Sequence, residues 1–204
     1  MHISEGILSL PILAGGGAFA IIGTGIGLKH IDTDHIIETS LLSSAFFVAS
    51  LVHIPLGPGS VHLVLNGLVG ILLGWASVPA IAIALFLQAL LFGFGGLTVL
   101  GVNTVVMAGP AVAVYYLFGP MIRKEGRTRM IGAFCAGMVA ILLSTCLLAL
   151  ALVGTDRSFL DTARLLLAAQ IPLMLLEGVI TMFVVSFLDR VQPELLNFSS
   201  RVHP

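Results

Sequence analysis

The chain has 204 residues, of which 58% are hydrophobic and 9% are charged, whereas about a quarter of the residues in a soluble domain are charged. This composition excludes an ordinary soluble domain and indicates that lipid surrounds most of the protein. Nine Lys and Arg nearly balance ten Asp and Glu, so the sequence offers no basic face for nucleic acid.

Apolar runs make up almost the whole chain, and a helix needs about 20 apolar residues to cross the hydrocarbon core of a membrane. The sequence therefore predicts an all-α, polytopic membrane protein, a single domain over residues 1–204 with about seven transmembrane helices. Spans three and four are short and close together, so half-helices or a tight hairpin are alternatives there. The predicted spans cover residues 7–28, 36–54, 62–76, 78–94, 100–118, 130–153 and 163–188.

Basic residues predict the orientation, because short cytoplasmic loops retain Lys and Arg. Seven spans with the amino terminus outside place seven basic residues in the cytoplasm and leave only Arg157 and Arg164 outside. We therefore expect a multi-pass protein of the cell's inner (plasma) membrane whose carboxyl terminus is cytoplasmic. No Lys or Arg precedes the first apolar run, so we expect no cleaved signal and a mature chain that begins at Met1. The seven basic residues that are predicted to be cytoplasmic are Lys29, Arg123, Lys124, Arg127, Arg129, Arg190 and Arg201.

Three of the six histidines lie where the first three predicted spans reach the outer side: His2, His53 and His62. Residues 54–61, between the last two, are rich in Pro and Gly and are predicted to form a loop folded against a site. The other three are predicted to be solvated in a cytoplasmic loop and in the tail; they are His30, His35 and His203.

The Met1-His2 start offers a chelate that no internal histidine can form. The terminal amine of Met1, the deprotonated His2 amide and the His2 imidazole can close two rings on one ion, and one further imidazole completes four nitrogens. We assign that place to His62, with His53 as competitor or as hydrogen-bond partner of a ligand. A planar nitrogen set favours Ni(II) or Cu(II) over Zn(II), Mg(II) and Ca(II). Affinity should fall below about pH 6.5, where free imidazole becomes protonated.

Polar residues inside the spans are the remaining candidates. Glu177 needs a partner in the bundle interior, and a structural hydrogen bond and a role in metal passage are both open. Asn103, at the outer end of the fifth span, is expected to orient a ligand. Ser60, two residues before His62, joins His53, Asn103 and Glu177 as a supporting residue.

Other functions remain as rivals. No G-x-x-x-x-G-K-[ST] loop is present, so energy must come from another subunit or an ion gradient. A secondary transporter, or a permease subunit for an organic nutrient such as a vitamin, would use Glu177 as its coupling group. An intramembrane hydrolase would pair Ser60 or Ser144 with a histidine, but no G-x-S-x-G is present, and we do not expect an enzyme.

Several segments together resemble the CbiM/NikM family, the substrate-capture membrane subunits of energy-coupling factor transporters for cobalt and nickel. The resemblance covers nearly the whole chain. It rests on residues 1–8 (MHISEGIL), residues 55–63 with His62, residues 91–98 (LFGFGGLT), residues 100–103 (LGVN) and the pair Glu177-Gly178.

The resemblance implies a seven-helix bundle with the amino terminus tucked into its centre. It implies Co(II) or Ni(II) as transported substrate, held by the Met1 amine, the His2 amide and imidazole and the His62 imidazole, without a cofactor. It also implies a transmembrane coupling subunit, ATPase subunits and often a small accessory membrane protein. His53 stands where Asn is common, and Phe94 where an acid or His is frequent, so Phe94 receives no ligand role. The residues do not choose between cobalt and nickel.

Overall fold

The computed structural model is a bundle of helices with one two-stranded hairpin among the residues it describes. These are residues 3–31, 36–51, 53–56 and 59–200, with side chains described for 3–31, 36–51 and 62–196. The elements are α1 (Leu10–Leu28), α2 (Ile36–Ala49), β1 (His53–Leu56), β2 (Gly59–His62), α3 (Asn66–Leu73), α4 (Ser77–Phe92), α5 (Leu100–Ile122), α6 (Arg127–Thr155), α7 (Leu160–Ala169) and α8 (Ile171–Val191), with 3₁₀ turns at Gly74–Ala76, Arg157–Phe159 and Pro193–Ser200.

Hydrophobic side chains cover the outside of the bundle, which confirms the predicted helical membrane class. Leu10 and Ile21 are 78% and 75% exposed, whereas Asn66 and Glu177 are almost fully buried. This distribution is the one expected when lipid is the solvent. By length and composition, five helical stretches in the described part of the chain could cross a membrane if α3 and α4 are counted together as one, and α2, with 14 residues, is a shorter apolar helix. The five are Leu10–Leu28, Asn66–Phe92, Leu100–Ile122, Arg127–Thr155 and Ile171–Val191.

A hairpin replaces the predicted loop and shortens the spans on both sides of it. The second predicted span runs to residue 54, but α2 ends at Ala49, and the third begins at His62, which is the last residue of β2. The strands pair antiparallel, with His53 opposite His62 and Pro55 opposite Ser60. Hydropathy alone does not distinguish a short apolar strand from a helix, which is why the span bounds were wrong here.

The half-helix α3 runs beside α5 in the same direction. The Asn66 side chain donates to the Met107 carbonyl at 3.1 Å, and one turn further along both helices Gly70 lies against the backbone of Ala111. All eight residues of α3 are buried. At the end of α3, Gly74 takes φ +55° and ψ −125°, a conformation outside the helical region that Gly adopts without a steric penalty.

The chain reverses at this glycine, because α4 runs beside α5 in the opposite direction. Trp75 Nε1 donates to the Tyr116 hydroxyl at 2.8 Å, and Ala82, seven residues later, lines one cavity with Thr104. With eight residues, α3 is about 12 Å long, too short to cross about 30 Å of hydrocarbon. Both alternatives to two full spans, half-helices and a tight hairpin, therefore describe parts of this region: α3 is a half-helix, and the chain turns back after it.

The last predicted span, 163–188, is divided at Gln170. The amphipathic helix α7 precedes the break and carries an exposed ion pair in which Arg164 lies 3.2 Å from Asp161. Pro172 lies in the first turn of α8. Because proline has no backbone N–H, it suits the first turn of a new helix and cannot continue α7 without losing a hydrogen bond.

Substitution of Gly70 by Ala is expected to destabilise the bundle by about 1–3 kcal/mol, the usual cost of overpacking. A Cβ at Gly70 would overlap the Ala111 backbone, whereas a Cβ at Gly25 would meet nothing within 4 Å. Thermal unfolding in detergent measures the difference, with Gly25→Ala as the matched control. Equal midpoints for the two variants would contradict the close approach of α3 and α5.

Candidate functional site

His62 is the last residue of β2 and is 9% exposed. Its Nδ1 lies 3.0 Å from the Leu63 carbonyl oxygen. Because a carbonyl only accepts hydrogen bonds, Nδ1 carries the proton and Nε2 carries the lone pair of the neutral ring. Burial lowers the pKa of the His62 imidazole, so the ring is neutral near pH 7. Neutral imidazole is the form that binds a metal ion.

Glu177 holds the backbone that follows His62. Its Oε1 accepts hydrogen bonds from the N–H groups of Val64 and Leu65, the latter at 3.1 Å, and its Oε2 lies 3.0 Å from the Leu65 nitrogen. The carboxylate thus lies at the start of α3, where the helix dipole favours negative charge. Of the two roles that the sequence leaves open for Glu177, the structure shows the hydrogen bond, and metal passage stays a hypothesis.

Asn103 anchors the amino-terminal segment, residues 3–9, to the bundle at Ile3. The Ile3 N–H donates to Asn103 Oδ1 at 3.0 Å, and Asn103 Nδ2 donates to the Ile3 carbonyl at 3.2 Å. Both residues are buried, with exposures of 4% for Ile3 and 3% for Asn103. The side-chain amide therefore satisfies both backbone groups of the residue that follows His2 in sequence. We expected Asn103 to orient a ligand directly, and its contact is instead with this backbone.

Glu5 provides a second anchor, which was not predicted from the sequence. Its N–H donates to the Gly95 carbonyl at 3.2 Å, and its Oε1 accepts from the Thr98 N–H and hydroxyl at 2.9 and 3.1 Å. Gly96 has φ +124°, and a Cβ there would overlap the Glu5 side chain. Two features of the sequence could have indicated this contact: an acidic residue just before the first apolar run, and the distant Gly-Gly-Leu-Thr stretch that binds it.

Helix α5 brings the two chain segments to one face. Asn103 binds Ile3, and Met107, one turn further along α5, accepts from Asn66. Residues four apart lie on the same side of a helix. Ile3 and Asn66, which follows His62 by four residues, therefore both contact the same stretch of α5.

Several predicted site residues lie partly or wholly outside the described part of the chain. Met1 and His2 are outside it, and only the backbone of His53 and Ser60 is described, in β1 and β2. Within the side chains of 3–31, 36–51 and 62–196, no three His, Cys, Asp or Glu residues converge on a possible metal site. The predicted ligand set needs Met1 and His2, so its assembly stays a prediction.

The anchor at Glu5 should weaken in acid. The hydrogen bonds from Thr98 lower the pKa of Glu5, so the folded anchor favours the carboxylate, and its contribution is lost as the pH falls through that lowered pKa. Hydrogen exchange of residues 3–8, corrected for intrinsic rates, should show unchanged protection between pH 7 and 5 and a loss in more acidic solution. Glu5→Gln should reduce protection at pH 7 and remove the acid step. A step that persists in Glu5→Gln would assign it to another group.

Comparison with known proteins places the chain in a family. It matches the family model of the cobalt uptake substrate-specific transmembrane region over residues 2–195. A protein of Haemophilus influenzae named as a candidate metal transport protein is 40% identical over 200 residues, 97% of each chain. The fused nickel transport protein NikMN of Rhodobacter capsulatus is 32% identical over 221 residues, which are 96% of this chain and 64% of that protein.

The fold agrees with that family. A crystal structure of a transition metal transporter superposes over all of both chains with a TM-score of 0.75 and 29% sequence identity. The family is one of metal transport components, not of enzymes. Since the family model covers nearly the whole chain, the protein belongs to the CbiM family of cobalt uptake substrate-specific transmembrane proteins.

Proposed function

We propose that this protein is the substrate-capture membrane subunit of an energy-coupling factor ABC transporter and that it binds Co(II) or Ni(II) from the outer side. The hydrogen-bonded pair of Ile3 and Asn103 is the observation that carries the proposal. It draws the amino-terminal segment into the bundle, on the face of α5 that also receives the His62 region. Two residues reach at most about 7 Å from Ile3, so the proposed ion lies close to Asn103.

The proposed ligands are the Met1 amine, the His2 amide and imidazole, and His62. The hydrogen bond from His62 Nδ1 to Leu63 supports Nε2 as the coordinating atom and fixes the ring orientation, as partners of metal-bound histidines commonly do. The backbone register opposite His62 supports His53 as a neighbour that competes for the ion or hydrogen-bonds a ligand. Ser60, in the same hairpin, is proposed as a supporting residue.

The proposed orientation has the amino terminus outside, the carboxyl terminus in the cytoplasm and seven helices in the plasma membrane. Helix α5 begins beside the site and ends at Ile122, where Arg129 donates to the Ile122 carbonyl. Its 23 residues span about 35 Å, so the site and the basic loop of residues 123–129 lie about one bilayer apart. A cytoplasmic position of this basic segment, as its Lys and Arg content favours, supports metal binding from the outer side.

The proposed partners are a transmembrane coupling subunit and ATPase subunits, with a small accessory membrane subunit. These 204 residues contain no G-x-x-x-x-G-K-[ST] phosphate-binding loop, which supports ATP hydrolysis outside them. Its relative in Rhodobacter capsulatus is named as a fusion and is longer than the matched region. That fusion supports a partner that works next to this protein in nickel transport.

Metal titration of purified protein with a native amino terminus tests the ligand set. We expect one saturable Ni(II) or Co(II) site, weakened by more than about 100-fold in His2→Ala and in His62→Ala, since loss of a ligand should exceed the 10–100-fold cost of losing an outer partner. His30→Ala, a histidine near the basic end, is the matched control and should bind normally. Wild-type affinity in His62→Ala would contradict the proposal, and binding that depended only on Glu177 would favour the secondary transporter.

An extension at the amino terminus should abolish metal uptake, because it converts the Met1 amine into an amide that cannot coordinate as an amine does. A tag at the carboxyl terminus should leave uptake intact. Uptake of radioactive nickel by cells that express each version, with membrane levels matched, measures the effect. Removal of the extension by a protease that regenerates the Met1 amine should restore uptake. Full uptake by the extended protein would exclude the amine as a ligand.

A further inference from the structure

The three residues that join β2 to α3, residues 63–65, form a link with an unfavourable backbone. Leu65 has φ +55° and ψ +15°, the left-handed conformation in which a Cβ crowds the backbone. Among the described residues it is the only one other than glycine with a positive φ. The link therefore needs an external partner to keep its conformation, and with it the position of His62.

Glu177 supplies that partner from α8. Its two carboxylate oxygens take the N–H groups of Val64 and Leu65, and the side chain is 1% exposed. Water cannot replace these bonds in the buried interior, so the loss of the carboxylate leaves two N–H groups without acceptors. The left-handed Leu65 would then relax and displace His62, which lies three residues earlier in sequence.

Contacts along α8 fix the position of Glu177. A Cβ at Gly137 of α6 would lie 2.6 Å from the Glu177 carbonyl oxygen, and a Cβ at Gly178 would lie 2.9 Å from the Phe134 carbonyl oxygen. The backbones of α6 and α8 thus touch at this level, and no side chain separates them. A shift of α8 relative to α6 must therefore carry the Glu177 carboxylate with it.

The carboxyl-terminal end of α8 contacts the basic segment of residues 123–129. Asp189 forms an ion pair with Arg129, whose Nε donates to the Ile122 carbonyl at 2.7 Å. The Arg129 side chain is 8% exposed and the Asp189 side chain is 34% exposed, so the guanidinium is buried while the carboxylate reaches the surface. Twelve residues separate Glu177 from Asp189, which corresponds to about 18 Å along the helix.

We propose that Glu177 is a positioning residue that couples His62 to the Arg129–Asp189 end of α8. A movement of α8 at that end withdraws the carboxylate from Val64 and Leu65, so that the link relaxes and His62 leaves the ion. The inference rests on the proposed function, because it treats His62 as a metal ligand. By linkage, metal binding and the position of α8 influence each other by the same factor.

Nickel titration and stopped-flow metal release, on purified full-length protein with a native amino terminus, test the positioning role. Glu177→Ala should weaken binding about 10–100-fold, and Glu177→Gln should weaken it less, because the amide keeps one acceptor oxygen. Adding Leu65→Gly to Glu177→Ala should recover part of the affinity, since glycine adopts the left-handed conformation freely. Thr181→Val, a buried change one turn along α8, should bind like the wild type.

The result that would overturn the positioning role is wild-type affinity in both Glu177 variants. If Glu177→Ala fails to fold, Glu177→Gln with and without Leu65→Gly carries the same comparison. Absence of both nickel and cobalt binding by the unsubstituted protein would instead refute the proposed function. The two failures are therefore distinguishable.

A double-mutant cycle of Glu177→Gln and Asp189→Asn tests the coupling along α8. Asp189→Asn alone should accelerate nickel release several-fold, and its effect should shrink at least about threefold when Glu177 is already Gln. Substitutions more than about 10 Å apart usually have additive effects, so a deviation of that size would show that α8 transmits the change. Additive effects on the release rate would overturn the coupling.

Discussion

The pairing of the Asn103 side chain with the Ile3 backbone is the interaction on which the arrangement of the site depends. Within a membrane, only a helix or a closed sheet satisfies its own backbone groups, so any other backbone at that depth needs protein partners. The amino-terminal segment obtains them from Asn103, from the Gly95 carbonyl and from Thr155, whose hydroxyl accepts from the Ser9 N–H at 3.2 Å. Without these partners the non-helical amino-terminal segment would lose its attachment to the helices.

The same constraint explains the other non-helical segment of the site. Residues 63–65 depend on Glu177 as the amino-terminal segment depends on Asn103, whereas β1 and β2 satisfy one another through their ladder. One buried polar side chain from a helix thus supports each irregular stretch. Interrupted helices and irregular backbone, enclosed by intact helices, are a common way to build an ion site within a membrane protein. The cost of burying Asn103 and Glu177 is offset by hydrogen bonds that also define the site.

Hydropathy predicted the long helices well and the short elements poorly. The first residue of α5 was predicted correctly, at Leu100, and α6 differs from its prediction by two or three residues at each end. Over such lengths an apolar run has no stable alternative to a helix in lipid. The break at Gln170, the hairpin and the reversal at Gly74 depend instead on local backbone conformation, which average hydropathy does not register.

For the candidate site, too, some features were predicted from the sequence and others were not. His62, Asn103 and Glu177 were identified because polar groups stand out among apolar residues. The hydrogen-bond partners of Asn103, Glu177 and Glu5, however, lie 93 to 113 residues away in sequence. Such pairings depend on tertiary structure, and no spacing rule reveals them. Glu5 was therefore overlooked, although it anchors the segment that leads to His2.

X-ray absorption at the nickel edge of the nickel-loaded protein, prepared with an unblocked Met1, reports the atoms that coordinate the ion. We expect four nitrogen donors in one plane around the ion, with loss of one imidazole from that shell in His62→Ala. A six-coordinate shell dominated by oxygen, or a shell that His62→Ala leaves unchanged, would contradict it.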